Sequence, residues 1–382
     1  MKKRSFIFSI LFIVGLIMIS SLLLINMYQE SREEIVYEVS KHQDKEVSLS
    51  GKEWTTNLTL GAIGDILIHD WVYEDAHTAS GYNFKPMFQH VKNSLQSPDL
   101  LLANQETVLG GVEMGLSSYP TFNSPKEVGD ALIDAGVDIV STANNHSLDK
   151  GEKGVLSSID YYEKVRMPYV GFFKDKEDQN TLRIIEKNGV KLAFLAYSYG
   201  TNGIPVPEGK EYLVNLIDKN KMKEEIHKAK EVADVVVMSI HWGNEYQRFP
   251  TNEQKELGQY LADEGADIIF GHHPHVLQPM DMLKTKDDRN TFIVYSLGNF
   301  LSGQMWDYKD IGGLATIDIT KHVNANGTKI ELSNPTFLPT FVSNKRLKEY
   351  RIVPLKNASP YGLKNAVKQN EEIMLHMTEW LK

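Results

Sequence analysis

The chain has 382 residues, enough for one large core or two smaller ones, and its 42% hydrophobic and 24% charged content is that of a globular protein. Cysteine is absent, which excludes disulfides, thiolate metal sites and a cysteine nucleophile; any metal must be held by His, Asp, Glu or Asn. A net charge of −9 argues against broad nucleic-acid binding, which needs basic surface.

The first element in chain order is an uncharged apolar stretch, Phe6–Ile25, long enough to cross a bilayer as one helix. Lys2, Lys3 and Arg4 precede it, and positive charge favours the cytoplasmic side, so the large C-terminal part is expected outside the cell, on a single-pass anchor in the cell membrane. A cleaved signal peptide is the alternative, but its small-residue cleavage site is missing. Residues 1–28 are thus read as cytoplasmic tip and transmembrane anchor, and the polar residues 29–55 as a stalk.

Five apolar runs follow, each finishing in residues able to hold a metal. "LTLGAIGD" ends at Asp65, "PDLLLANQE" at Asn104 and Glu106, and "VDIVSTANNH" at Asn144, Asn145 and His146. "DVVVMSIHWG" carries His241, and "ADIIFGHHPH" supplies His272, His273 and His275. Continuous apolar runs suit strands covered on both faces. Helices are expected between them: one at "SPKE", with Ser124 as cap and Glu127 closing a capping box, and others near Lys221–Ala233 and Asn252–Glu264. Asn188-Gly189 predicts a hairpin turn, and "GGLATIDIT" and "TKIELSNPTF" predict further strands. The expected fold is therefore α/β, a layered sheet sandwich with flanking helices, spanning residues 56–340. Residues 341–382 carry eight Lys/Arg against four Asp/Glu and read as a basic, helical, solvated tail.

In layered α/β sheets the loops at the carboxyl ends of the strands converge, so the five polar endings are predicted to meet. Their oxygens and imidazoles suit one or two divalent ions of the Mn, Fe or Zn kind, and two such ions can generate hydroxide and clamp a phosphoryl group. Asp149 reads as a residue holding the Asn145–His146 turn, and Asn104, Trp242 and Arg248 as lining of a substrate cleft.

The order Asp, carboxylate, Asn-His, His, His-x-His resembles calcineurin-like metallophosphoesterases. The blocks "GAIGDILIHD", "ANQETVLGG", "STANNHSLDKG", "SIHWGNEYQRFPTNEQKELGQYLADEGADIIFGHHPHVLQP" and "IVYSLGNF" resemble, more closely, bacterial poly-γ-glutamate capsule synthesis proteins of the CapA/PgsA type. That resemblance implies an anchored, outward-facing protein partnered by poly-γ-glutamate and the membrane-bound synthase subunits. It implies a metal site of Asp65, Glu106, Asn145, His241, His272 and His273, with His146 and His275 as catalytic groups. Two departures stand out. The second residue after Asp65 is Leu67 where phosphoesterases have His, with His69 four residues on, and Glu106 replaces the usual bridging Asp. A free-standing extracytoplasmic phosphoesterase and a non-catalytic scaffold are the other readings, since fold alone does not establish activity.

Overall fold

The computed structural model describes residues 53–381, so the expected anchor and the stalk as far as residue 52 lie outside the described residues. Among the described residues no helix is long and apolar enough to cross a membrane.

The chain opens with β1 (Trp54–Leu67), followed by a small ribbon of β2 (His77–Thr78) and β3 (Gly81–Tyr82). Then come β4 (Leu100–Gln105), β5 (Ile139–Ser141) and β6 (Tyr169–Val170). The middle of the chain supplies β7 (Arg183–Lys187), β8 (Val190–Ser198), β9 (Val235–His241), β10 (Ile268–His272), β11 (Leu277–Lys284) and β12 (Asn290–Leu297). Last are β13 (Asn299–Ser302), β14 (Ile311–Asn324), β15 (Gly327–Ser343) and β16 (Arg351–Pro354). One sheet runs β16-β15-β14-β1-β4-β5-β6, with β13 also paired to β1; the other runs β11-β12-β10-β9-β8-β7.

The second sheet is covered on both faces, and its sequence alternates between two environments. Leu192, Phe194, Val235, Val237, Ile268, Phe270, Phe292 and Val294 enter a core shared with Leu58, Leu60 and Ala62 of β1. Their neighbours Ala193, Leu195, Val236, Met238, Ile269 and Ile293 pack on the opposite side against Met222, Ile226 and Ala229 of helix Lys219–Val232, and Leu257 and Leu261 of helix Asn252–Glu264. This is the predicted sandwich with flanking helices, and period-2 alternation of apolar with apolar is why the runs look continuous in sequence. The Asn188-Gly189 turn joins β7 and β8, both residues having positive φ (53° and 74°) as a tight hairpin requires.

Two expectations need correction. Ser124 does not cap the helix that follows: its hydroxyl donates to Thr107 Oγ1 at 2.7 Å, and helix Glu127–Ala135 begins after Lys126 with no side-chain cap. Residues 341–382 are not a solvated tail. Strand β15 runs through residue 340 to Ser343, β16 adds an edge strand, and helix Ala366–Thr378 buries Ala366, Ile373 and Met377 in the main core. The positive charge obscured this, because the apolar residues that dock the helix are few and widely spaced.

Candidate metal and phosphoryl-type site

Strand register brings the polar endings into one row. In the first sheet Asp65 stands opposite Asn104 of β4 on one side and Asn299 of β13 on the other, and Asn104 stands opposite Ser141 of β5. In the second, His272 of β10 is opposite His241 of β9, which is opposite Ser198 of β8. The pairing of β1 shifts register around Asp65, a bulge that re-aims its side chain. Gly64 makes this possible: a Cβ there would lie 2.0 Å from the Gly298 carbonyl oxygen, the same oxygen that accepts from Asp65 N at 2.8 Å. Gly271, before His272, is under the same constraint, since a Cβ would meet the Tyr295 oxygen at 2.0 Å.

At the centre lies a buried carboxylate–imidazole cluster. Asp65 accepts from Asn104 Nδ2 at 2.7 Å, and its other oxygen lies 3.1 Å from His275 Nδ1. His275 Nδ1 is also 3.1 Å from Asn299 Oδ1, and its Nε2 is 3.8 Å from Glu106 Oε1. His241 Nε2 donates to Asn145 Oδ1 at 2.8 Å and stands 3.5 Å from Glu106. His272 Nδ1 is 3.4 Å from Asp65 Oδ1. His273 and His275 adopt left-handed backbone (φ 97° and 56°), a strained conformation for residues with a Cβ that turns their imidazoles inward. Tyr199 covers the cluster, its ring 4.6 Å from that of His273.

The donor set fits a divalent ion. Glu106, His273 and His275 each offer an atom within 4.8 Å of the others. Both Glu106 oxygens, both His272 nitrogens, His273 Nδ1 and His241 Nδ1 are buried without a hydrogen-bond partner. Buried polar atoms without partners are costly, and those of Glu106 and His273 belong to the group of close donors that a cation would satisfy. The titration behaviour is that of a cluster held out of water. Burial, then the charge of Asp65, raises Glu106 to about 8. Burial opposes ionisation of Asp65 too, but the imidazoles of His272 and His275 beside it hold it well below the usual carboxylate range. Burial lowers His241 strongly and takes His273 down to about 2, whereas for His275 the effect of burial is overcome by Glu106 and Asp65, which raise it to about 9. His275, expected as a catalytic group, stands among the three close donors that could hold an ion.

His146 sits beside this cluster, at a cleft leading to it. Asn144 builds its turn, donating to the Gln105 and Thr142 carbonyls and accepting from His146 N at 2.9 Å. The His146 Nδ1–H donates to Asp149 Oδ2 at 2.7 Å, which also accepts from Phe122 N at 2.6 Å. Asp149 therefore holds the turn, as expected, and aims the imidazole as well. A cleft of about 380 Å³ opens here, lined by Tyr119, Asn145, His146, Asp149, Asn202 and Glu245.

Three expected cleft residues do not line it. Asn104 is fully buried and positions Asp65. Trp242 turns to the far side of its sheet, donates from Nε1 to the Tyr295 carbonyl at 3.0 Å and packs in the helix-covered core. Arg248 lies over the Tyr308 ring at 3.9 Å and pairs with Glu372 at 3.3 Å, away from the cluster. His69 also stays outside: Leu67 O and Gly303 N engage its Nδ1, and it stacks on Trp71. Sequence reasoning missed Tyr199 and Asn202, which lie in a loop with no motif, and Glu245, although it stands in the block that follows His241; Asn299 had one signal, the "LGN" after an apolar strand.

Comparison with known proteins adds a lineage to this geometry. The family model "Bacterial capsule synthesis protein PGA_cap" matches residues 59–304. "Capsule biosynthesis protein CapA" of Bacillus anthracis is 31% identical over 283 residues, covering 72% of this chain and 66% of its own length. "PGA biosynthesis protein CapA" of Bacillus subtilis is 29% identical over 284 residues, covering 71% and 69%. The chain therefore matches about two thirds of each relative. Among solved structures, the calcineurin-like phosphoesterase YfkN from Bacillus subtilis aligns with 84% of this chain and 98% of its own, at TM-score 0.46 and 18% identity. That similarity is too distant to bear on activity.

Proposed function

The chain belongs to the bacterial capsule synthesis protein family PGA_cap, and from that premise we propose that it is a membrane-anchored component of poly-γ-glutamate capsule assembly with a divalent-metal site in its outward-facing domain. The observation that carries the site is the set of partnerless buried atoms on Glu106, His241, His272 and His273. In this reading Phe6–Ile25 is the anchor, the domain faces outward, and the partners are the polymer and the membrane-bound synthase subunits. Glu106, His273 and His275 hold the metal, together with Asp65, Asn145, His241 and His272 around them. The ion is of the Mn, Fe or Zn kind, and it supplies positive charge for an anionic group in a protein of net −9. His146, aimed by Asp149, stands at the mouth to give a proton to, or orient, whatever that group carries.

The test is metal content of the purified full-length chain, alongside surface polymer in cells whose own copy is replaced by the variant. Glu106→Gln and His273→Ala should lose metal and surface polymer together while the protein stays folded and membrane-bound. Normal polymer in metal-depleted variants would remove the site from capsule assembly. A second reading, metal-dependent phosphoester hydrolysis, is favoured by the His146–Asp149 pair beside the cluster. It predicts chelator-sensitive turnover of a simple phosphoester that falls with His146→Ala.

A further inference from the structure

Two touching loops, one of them bordering the carboxylate–imidazole cluster, share an unusual backbone. In one, Trp306, Asp307 and Tyr308 are consecutive left-handed residues (φ 61°, 52° and 67°). In the other, Arg346, Leu347 and Glu349 are left-handed (φ 51°, 64° and 54°). None is glycine, asparagine accounts for none, and such residues cost on the order of 1 kcal/mol each, so strain of this kind concentrates at ligand clamps and active sites. The loops touch, Asn344 Nδ2 lying 3.3 Å from Met305 Sδ. The first loop is also wired to the cluster, and the second is joined to it through that contact. Asn299, which faces His275, donates to Gln304 Oε1 at 3.0 Å and to the Lys309 carbonyl at 2.8 Å. Gln304 Nε2 donates to the Tyr246 hydroxyl at 3.3 Å, and the Tyr246 ring lies 6.2 Å from that of His275.

The second loop presents cations, and the first an aromatic ring beside the exposed carboxylate of Asp307. Trp306 is 73% exposed. Lys345, Arg346 and Lys348 are exposed together; Lys345 pairs with Glu349 at 2.8 Å, while Arg346 and Lys348 have no ionic partner among the described residues. A basic projection on an acidic protein, beside an exposed indole, complements a flexible chain of carboxylates with apolar linking groups. We propose that the loops 303–310 and 344–349 clamp a linear polycarboxylate chain and hold it at the mouth of the carboxylate–imidazole cluster. The ligand class rests on the capsule-polymer reading above; the place of the clamp rests on the two loops alone.

Anisotropy of a fluorescein-labelled γ-linked oligoglutamate, titrated with the full-length chain in mild detergent, tests this, with polyacrylate as a second polycarboxylate. The wild type should bind both, more weakly as salt rises. Reversing two exposed charges, in R346E/K348E, should weaken binding roughly tenfold or more, with metal content and melting behaviour unchanged. Trp306→Ala should weaken it without altering the salt dependence. If the double charge reversal binds as the wild type does, or the wild type binds neither polymer, the clamp is wrong, and the capsule reading is untouched. If polyacrylate binds with the expected sensitivity to R346E/K348E but oligoglutamate does not, the clamp stands and the capsule-polymer reading fails.

Discussion

Asp149 shows how one hydrogen bond separates holding a residue from using it. Its carboxylate accepts from His146 Nδ1, which fixes the imidazole's orientation and leaves Nε2 pointing to the cleft. Asp149→Asn keeps an oxygen for Phe122 N but loses the charge, so activity or polymer yield should fall about 10- to 100-fold with metal content unchanged. An undiminished yield would leave Asp149 as a loop anchor only. The cluster makes a second prediction through pH. Glu106 and His275 bind protons in the metal-free fold (to about 8 and about 9) that the unfolded chain releases near their ordinary values of 4.5 and 6.5. Their folded values are raised, so the protons they hold stabilise the metal-free fold at low pH; this contribution is lost as pH rises, and between about 6.5, above which the lowered His241 and His273 no longer oppose it, and about 9 it sets the trend. Thermal melting of chelated protein should therefore weaken over that window, while saturating metal, which needs both groups deprotonated, should reverse the trend. A chelated melting curve that strengthened across it would contradict the assignment. At this scale the sequence was informative where a residue ends an apolar run, as with Asp65, Glu106 and His241. It misled where a side chain's direction mattered: Trp242 follows His241 directly, and the alternation of a strand sends neighbours to opposite faces.

At the scale of elements, periodicity and punctuation were legible. Helix Asn252–Glu264 falls where it was expected, closed by a Thr251 capping box at one end and by Gly265 at the other. Residues 341–382 were misread because charge dominates their composition, whereas docking depends on single apolar positions such as Ile373 and Met377. Because Ile373 is fully buried, Ile373→Ala should cost about 2–5 kcal/mol, measurable by denaturant unfolding. The solvated tail first expected would show no change. Helix Ala366–Thr378 also carries Glu372, which holds both Arg248 and Tyr308, so loosening it should disturb the rim before the buried cluster.

For the whole molecule, the reading as an anchored outward-facing protein makes a simple prediction. Protease added to intact wall-less cells should digest the domain after about Gln29, and protection of that domain would place it inside. The sheet order itself carries a consequence in time. Strand β1, the first of the fold, lies inside its sheet, and its antiparallel partner is β14, with Leu58 opposite Ile319. Its neighbour β13 arrives scarcely earlier. A chain emerging from its N-terminus therefore exposes an apolar strand with one edge unpaired until more than two hundred further residues have followed it. Contacts so distant in sequence close slowly. The first strand thus cannot be fully paired until β14 has been made: the chain must be kept soluble and unaggregated until then, and one stopped before Ile311 should be cleared rather than accumulate.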